Sequence, residues 1–231
     1  MDIYFTSVFH KSLYNKSKNN SLIEWDNFLV EYPKFEKYKN LFLQSRIKGN
    51  SSITLEIPWI NFLAIDYLNE VLSDASKVFE YGMGGSTIFF AKKTLEVISV
   101  EHNENYYEQV NKIIAQKYKK QSIQLSLSKP KPDSVDAKYI SNRAEYSGLN
   151  FKDYVHTINQ FPDQYFDLVL VDGRCRIECC KIASTKIKKN GVLMLDNSDY
   201  MHYQSGIKDL DLHFLKNWKK KIFYHQDLFH K

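Results

Sequence analysis

Residues 77–87, Lys-Val-Phe-Glu-Tyr-Gly-Met-Gly-Gly-Ser-Thr, set Gly82, Gly84 and Gly85 directly after an apolar run and directly before two hydroxyl residues. Glycine lets a backbone turn sharply and lets a ligand lie against it without a Cβ in the way. Ser86 and Thr87 then open a helix, whose free N–H groups and positive dipole end face whatever lies over the turn. Glu101 stands 21 residues beyond Glu80, at the end of a second apolar run over 96–100. An acid at about that distance from a glycine turn is where nucleotide-binding βαβ units hold a ribose diol. Asp172 and Asp196 close two further apolar runs. In an open parallel sheet ligands lie outside the carboxyl ends of the strands, so Glu80, Glu101, Asp172 and Asp196 are expected on one rim. Carboxylates gathered and buried there must face cations or hydrogen-bond donors.

The pattern Glu80-x-Gly82-x-Gly84-Gly85-Ser86-Thr87, followed by Glu101, resembles the S-adenosylmethionine (SAM) site of class I methyltransferases. The resemblance implies that the glycine turn packs against the methionine part of the cofactor and that Glu101 accepts the ribose hydroxyls. Glu80 is then expected near the SAM amino end or a turn amide, with His102 and Asp172 among the cofactor contacts. A dinucleotide dehydrogenase fits less well, because the third glycine of G-x-G-x-x-G falls on Thr87. An NAD(P)-dependent oxidoreductase on a similar sheet remains an alternative. So does a non-catalytic nucleotide- or RNA-binding module with this fold.

Asp172-Gly-Arg174 and Asp196-Asn197-Ser-Asp199 follow the fourth and fifth apolar runs. They are similar to the metal-dependent O-methyltransferases, in which an Asp after the fourth strand and an Asp-Asn pair after the fifth bind a divalent cation. The similarity implies Asp172, Asp196 and Asn197 as ligands of an ion such as Mg²⁺, which suits oxygen donors and lowers the pKa of an acceptor hydroxyl. One departure stands against it. The family's Lys three residues after the first Asp is Cys175 here, flanked by Arg174 and Arg176. On the competing reading Asp172 touches cofactor or acceptor, Arg174 grips an anionic acceptor or the SAM carboxylate, and a base is sought among His202, Asp199 and His156. Asp172, Arg174 and His202 are therefore the catalytic candidates.

The elements that must position these residues alternate regularly. Strands are expected over 77–81, 96–100, 123–127, 164–172, 191–196 and 221–225. Helices are expected over 86–93, 104–119, 151–160, 175–187 and 206–218. Such alternation calls for an α/β fold, a doubly wound and mostly parallel sheet with right-handed crossovers. A further helix is expected from Pro58 to Leu72, and 49–52 reads as a linker. Residues 1–52 read as a helical N-terminal extension, a cover on the substrate side, with 53–231 as the Rossmann-like domain. Within the extension Trp25, Phe28, Leu29 and Tyr32 share one helical face, and no strand is legible. Residues 128–150 form a proline-marked excursion in which Tyr139, Arg143 and Tyr146 stand out. Class I methyltransferases end with a sixth and a reversed seventh strand. Only 226–231 remain for the seventh, so a shortened C-terminal end is expected.

A chain of 231 residues with 43% hydrophobic and 26% charged residues suits one such domain without disulfide staples. Cys175, Cys179 and Cys180 make a poor disulfide framework and read as core residues of a reducing, cytoplasmic setting. No apolar run is long enough to span a membrane. The net charge of +5 is carried partly by basic patches at 117–120, 186–189 and 216–221, which read as solvated helix ends rather than a nucleic-acid surface. The expected partner is a small-molecule or glycan acceptor, with oxygen as the methylated atom. Assembly into a homo-oligomer stays open.

Overall fold

The computed structural model describes residues 2–6, 26, 29–30, 33–118, 122–132, 136–141 and 143–223. Strands β1 (Asp2–Thr6), β2 (Lys77–Tyr81), β3 (Glu96–Glu101), β4 (Ser122–Leu127), β7 (Phe166–Val171), β8 (Ile187–Asp196) and β9 (Lys219–Phe223) form one sheet. Its order is β4-β3-β2-β7-β8-β1-β9, and every pair is parallel. The short strands β5 (Lys131–Pro132) and β6 (Leu149–Asn150) pair antiparallel, closing the base of the 128–150 excursion. The helices are α1 (Lys39–Ser45), α2 (Ser52–Leu55), α3 (Phe62–Val71), α4 (Gly85–Ala91), α5 (Glu104–Lys117), α6 (Lys152–His156), α7 (Arg176–Lys186) and α8 (Gln204–Asp209).

The central strands are apolar almost throughout because both faces of the sheet are covered. Phe79, Tyr81, Val169, Val171, Leu193 and Leu195 point to one face, where they meet Tyr154 of α6 and Cys179 and Cys180 of α7. Val78, Leu168, Leu170, Val192 and Met194 point to the other, against Leu68 of α3 and Phe89 and Phe90 of α4. Phe35, Tyr38 and Phe42 belong to that second core, so the described part of the N-terminal segment packs on the sheet. All three cysteines are free, with Cys179 and Cys180 buried.

The chain leaves β2 toward β3 and β4, then returns to β7 on the other side of β2. Strand order reverses between β2 and β7, and a crevice opens there at the carboxyl ends. Gly82, at φ +100°, and Gly173 close the bottom of this crevice: a Cβ on Gly82 would lie 3.0 Å from the Gly173 Cα.

Several expectations need correction. Residues 1–50 contain a strand, β1, which pairs with residues 192–196 and with β9. It escaped notice because its partners lie at the far end of the chain and no local alternation surrounds it. Strand β1 lies between β8 and β9, parallel to both neighbours. The presumed linker at 49–52 includes the start of α2, capped by Ser51, whose hydroxyl accepts the Thr54 N–H at 3.2 Å. Helix α3 begins at Phe62 rather than near Pro58, because the Asn61 side chain caps it by accepting the Leu63 N–H at 2.8 Å. The expected helix over 206–218 is α8 followed by a wider turn at Leu210–Phe214. Trp25, Phe28 and Tyr32 of the N-terminal face lie outside the described residues, as do Lys119, Lys120 and residues 224–231.

Candidate functional site

The glycine turn is held from below by Glu80. Its carboxylate, wholly buried, accepts hydrogen bonds from the hydroxyls of Ser86, Thr87 (2.6 Å) and Ser99 (2.7 Å). Thr87 Oγ1 in turn accepts the Gly84 N–H at 3.1 Å. Burial pushes the Glu80 carboxyl up to about 7, against the three hydroxyl donors and with a smaller upward push from Glu101. Glu80 thus faces the hydroxyls of its own turn rather than open space. Gly85 packs backbone on backbone: a Cβ there would come within 2.1 Å of the Ser52 carbonyl oxygen and 2.2 Å of that of Ile57. Its N–H donates to Ser52 Oγ at 3.3 Å, so α2 buttresses the turn.

Glu101 closes β3 and ties the next wall together. One carboxylate oxygen accepts the Met83 N–H at 2.8 Å, and the other accepts the N–H groups of His102 (2.8 Å) and Asn103 (2.7 Å). The turn after β2 and the loop after β3 are therefore fixed to the same carboxylate. His102 holds Nδ1 2.8 Å from that carboxylate as a close contact without hydrogen-bond direction, and its Nε2 meets the Tyr146 hydroxyl at 2.9 Å. Asn103 caps α5 by accepting the Tyr106 N–H at 3.2 Å.

These walls enclose a cavity of about 360 Å³ at the switch point of the sheet. Of the residues expected to contact a cofactor, Gly82, Gly84, Ser86, Glu101, His102 and Asp172 line it, Glu80, Gly85 and Thr87 are not among its lining, and Arg174 forms part of its edge. Ser52, Trp59, Tyr106 and Tyr146 also line it and were not singled out as cofactor contacts. The capping pattern Ser51-x-x-Thr54 was the available signal for α2, whereas nothing local marks Trp59 or Tyr106. A cavity of this size suits one small ligand.

Asp172 and Asp196 come together, but around a side chain of the protein itself. Arg176 donates from Nε to the Gly173 carbonyl (3.1 Å) and from Nη1 to the Asp196 carbonyl (2.6 Å). Its Nη2 donates to the Asp172 carbonyl (3.0 Å) and lies 2.8 Å from Asp172 Oδ1, while Nη1 lies 3.5 Å from Asp196 Oδ2. The guanidinium is 6% exposed and reaches five acceptors with its five N–H groups. Burial first, and then the charge of Asp196, pushes the Asp172 carboxyl well above the usual carboxylate range, with Arg176 opposing. The residues present do not fit a divalent cation, because the arginine occupies the position between the two carboxylates. Asn197 sits at φ +58°, and its side-chain nitrogen is buried without a hydrogen-bond partner.

A second cavity, of about 390 Å³, adjoins the first across Arg174. It lies between the excursion (Lys138, Ser141, Arg143), the loop after β7 (Arg174, Cys175) and the segment after β8 (Asn197, His202, Tyr203). The Arg174 guanidinium stands over the Tyr146 ring at 5.5 Å, and its Nε is buried without a partner. Burial, then Arg176 and Arg143, lowers the His202 pKa below its usual value. Asp199 is exposed and lines neither of these cavities. His156 has both ring nitrogens engaged, with Tyr139 Oη and Asn159 Nδ2, each at 2.8 Å. In the basic patches at 186–189 and 216–221, Lys186 pairs with Asp163, Lys188 with Asp167 and Lys220 with Asp211. No helix among the described residues is long and apolar enough to cross a membrane.

No family model matches the sequence, and no curated protein matches it. Among solved structures, a methyltransferase-like protein from Silicibacter pomeroyi is 21% identical at a TM-score of 0.45, over 64% of this chain and 76% of that one. A protein from Streptococcus mutans in complex with SAH is 19% identical at a TM-score of 0.44, over 68% of this chain and 80% of that one. The YcgJ protein of Bacillus subtilis is 14% identical at a TM-score of 0.35, and the chain spans 48% of its length while 57% of this chain is matched. Likeness at this level carries no weight for function, and the fold rests on the sheet itself. The half β4-β3-β2-β7-β8, its switch point and the glycine turn after β2 give this chain a doubly wound, Rossmann-like α/β fold.

Proposed function

We propose that the chain binds SAM in the 360 Å³ cavity and methylates an oxygen of a small-molecule acceptor held in the adjoining one. The observation that carries this reading is Glu101, an acid at the end of β3 that lines the cavity and is locked by the Met83 amide of the glycine turn and by the His102 and Asn103 amides. The oxygen accepting only the Met83 N–H keeps an acceptor direction for a ribose hydroxyl. Gly82 and Gly84 leave the turn open to the methionine part, and Tyr106 and Tyr146 add flat apolar walls. Glu80 is assigned no ligand contact; it fixes the turn.

Bound SAM supplies an activated methyl carbon, so the protein's task is to orient the acceptor in line and to take its proton. His202 is assigned the proton. Its lowered pKa keeps the imidazole neutral near pH 7, in the form that accepts. Arg174, shared by both cavities, holds the acceptor against the cofactor side. Asp172 lies at the edge of the first cavity with its carboxylate turned to Arg176, which suits positioning better than proton transfer.

Calorimetry with SAM, S-adenosylhomocysteine (SAH) and NADPH tests the reading. Binding of the two adenosyl ligands and not of NADPH is expected. Binding of NADPH alone, or of none of the three, would overturn it.

A further inference from the structure

The second cavity carries more cationic groups than its neighbours neutralise. Lys138, Arg143, Arg174 and Arg176 line it, against Glu178. Arg176 is consumed by Asp172 and Asp196, Lys138 pairs with Asp136 at 3.1 Å, and Glu178 is held by Lys181 at 2.9 Å. That leaves Arg143, which is exposed, and Arg174, whose Nε is buried with no acceptor. Asn197 adds an independent sign of a ligand. This lining residue is 8% exposed, and its Nδ2, which can only donate, is buried without a partner. A buried donor left unmatched is costly, and two such donors sit on residues that line this one cavity.

We propose that the second cavity is an anion-recognition subsite and that the methyl acceptor carries a phosphate or carboxylate gripped by Arg143, Arg174 and Asn197 Nδ2. The designation of the bound molecule as the methyl acceptor rests on the SAM reading above; the anion subsite itself does not. A guanidinium and a side-chain amide lining one cavity offer donors that suit the oxygens of such a group. The Arg174 guanidinium carbon lies 5.5 Å from the Tyr146 ring centroid, a cation–π contact that helps hold the side chain at the cavity. The anionic end would then lie at the Arg174–Asn197 wall, and the hydroxyl to be methylated would face His202 and the shared edge with the first cavity.

The test is a titration of the full-length, SAH-saturated protein with inorganic phosphate, read by the Nε–H resonances of Arg143 and Arg174 and the side-chain amide of Asn197. A saturable shift of Arg174 Nε and Asn197 Nδ2 in the millimolar range is expected, at constant ionic strength. Arg143→Gln, at an exposed position, and Arg174→Gln should each weaken it by about tenfold, the loss expected for one charge-assisted contact. Acetate should compete if the site recognises oxyanions generally; phosphate binding without competition by acetate would restrict the subsite to phosphate. A shift that does not saturate, or one unchanged in both variants, would overturn the subsite. A short single-stranded RNA binding far more tightly than phosphate, with a steep salt slope, would also overturn it in favour of a polyanion surface. SAH affinity is measured on the same samples. SAH binding without phosphate binding sinks only the subsite, whereas failure of SAH to bind removes the cofactor reading whatever phosphate does.

Discussion

Glu80, Glu101, Asp172 and Asp196 reach one rim, and each has its charge compensated by a different device. Three hydroxyls face Glu80, three backbone amides face Glu101, and one guanidinium serves the two aspartates. The spacing of the acids along the sequence announced the rim, but not these partners. Arg176 in particular joins two loops that only the folded sheet brings together, so no local pattern marks it as the cation between the acids. From Glu101 the expectation is direct. Glu101→Ala should weaken SAH binding by roughly 1–3 kcal/mol and also lower the melting temperature, since three amides lose their acceptor. Glu101→Gln, which keeps one carbonyl oxygen, should fall between, as calorimetry and thermal melts can check. For Arg176 the expectation concerns two carboxylates left buried without a cation. Arg176→Met should cost about 3–5 kcal/mol in urea unfolding, part of which Asp172→Asn in the same chain should restore. Addition of Mg²⁺ or EDTA to the unaltered protein should change neither its melting temperature nor its SAH affinity, because the guanidinium stands where the ion would sit. A clear rise in melting temperature with Mg²⁺ would show that assignment to be wrong.

At the scale of elements, the alternation of strands and helices from residue 77 onward was legible because the central strands are mostly apolar runs with local punctuation, while β4 (SIQLSL) still alternates apolar with polar. What the sequence hid are the elements defined only by distant partners. Strand β1 is five residues long and pairs with β8 and β9. Helix α2 is four residues long, yet it and the residues just after it supply the Ser52 and Ile57 carbonyls that wall the glycine turn. That buttress separates two glycines that look equivalent in sequence. A methyl group on Gly85 would collide with the Ser52 and Ile57 carbonyls, which belong to backbone and cannot swing aside. Gly85→Ala should therefore destabilise the fold by about 1–3 kcal/mol or more. On Gly84 the same methyl would meet nothing closer than Ser52 Oγ at 3.4 Å, an ordinary contact, and the backbone there is extended at φ −179°. Gly84→Ala should leave urea unfolding nearly unchanged while lowering SAH affinity, since Gly84 lines the cavity. Equal effects of the two substitutions on both measurements would contradict the division of labour between a packing glycine and a ligand-facing one.

For the whole molecule, the rim makes stability depend on pH in a direction opposite to that of ordinary surface carboxylates. Glu80 titrates near 4.5 when unfolded and is pushed up to about 7 in the fold by burial. Its folded pKa is the higher one, so the native state binds the proton more tightly. That preference is fully present below about pH 4.5 and is lost as pH rises through about 7, a change of roughly 3 kcal/mol for this shift. Asp172, also raised by burial and by Asp196, acts in the same sense. Surface pairs work the other way: Glu56, held low by Lys117 and Lys92, and Asp163, held low by Lys186, stabilise above their unfolded values and lose that contribution in acid. The exposed pairs are screened and weak, so the buried rim should dominate between weakly acidic and weakly basic conditions. Urea midpoints should consequently fall as pH is raised from about 5.5 to about 8, rather than stay level as they would if surface pairs alone titrated. Glu80→Gln removes the titrating proton while keeping an acceptor for Ser86, Thr87 or Ser99, so it should flatten most of that decline and leave the midpoint at low pH almost unmoved. A slope unchanged in Glu80→Gln would assign the pH dependence to Asp172 and its arginine instead, which Asp172→Asn would then have to abolish.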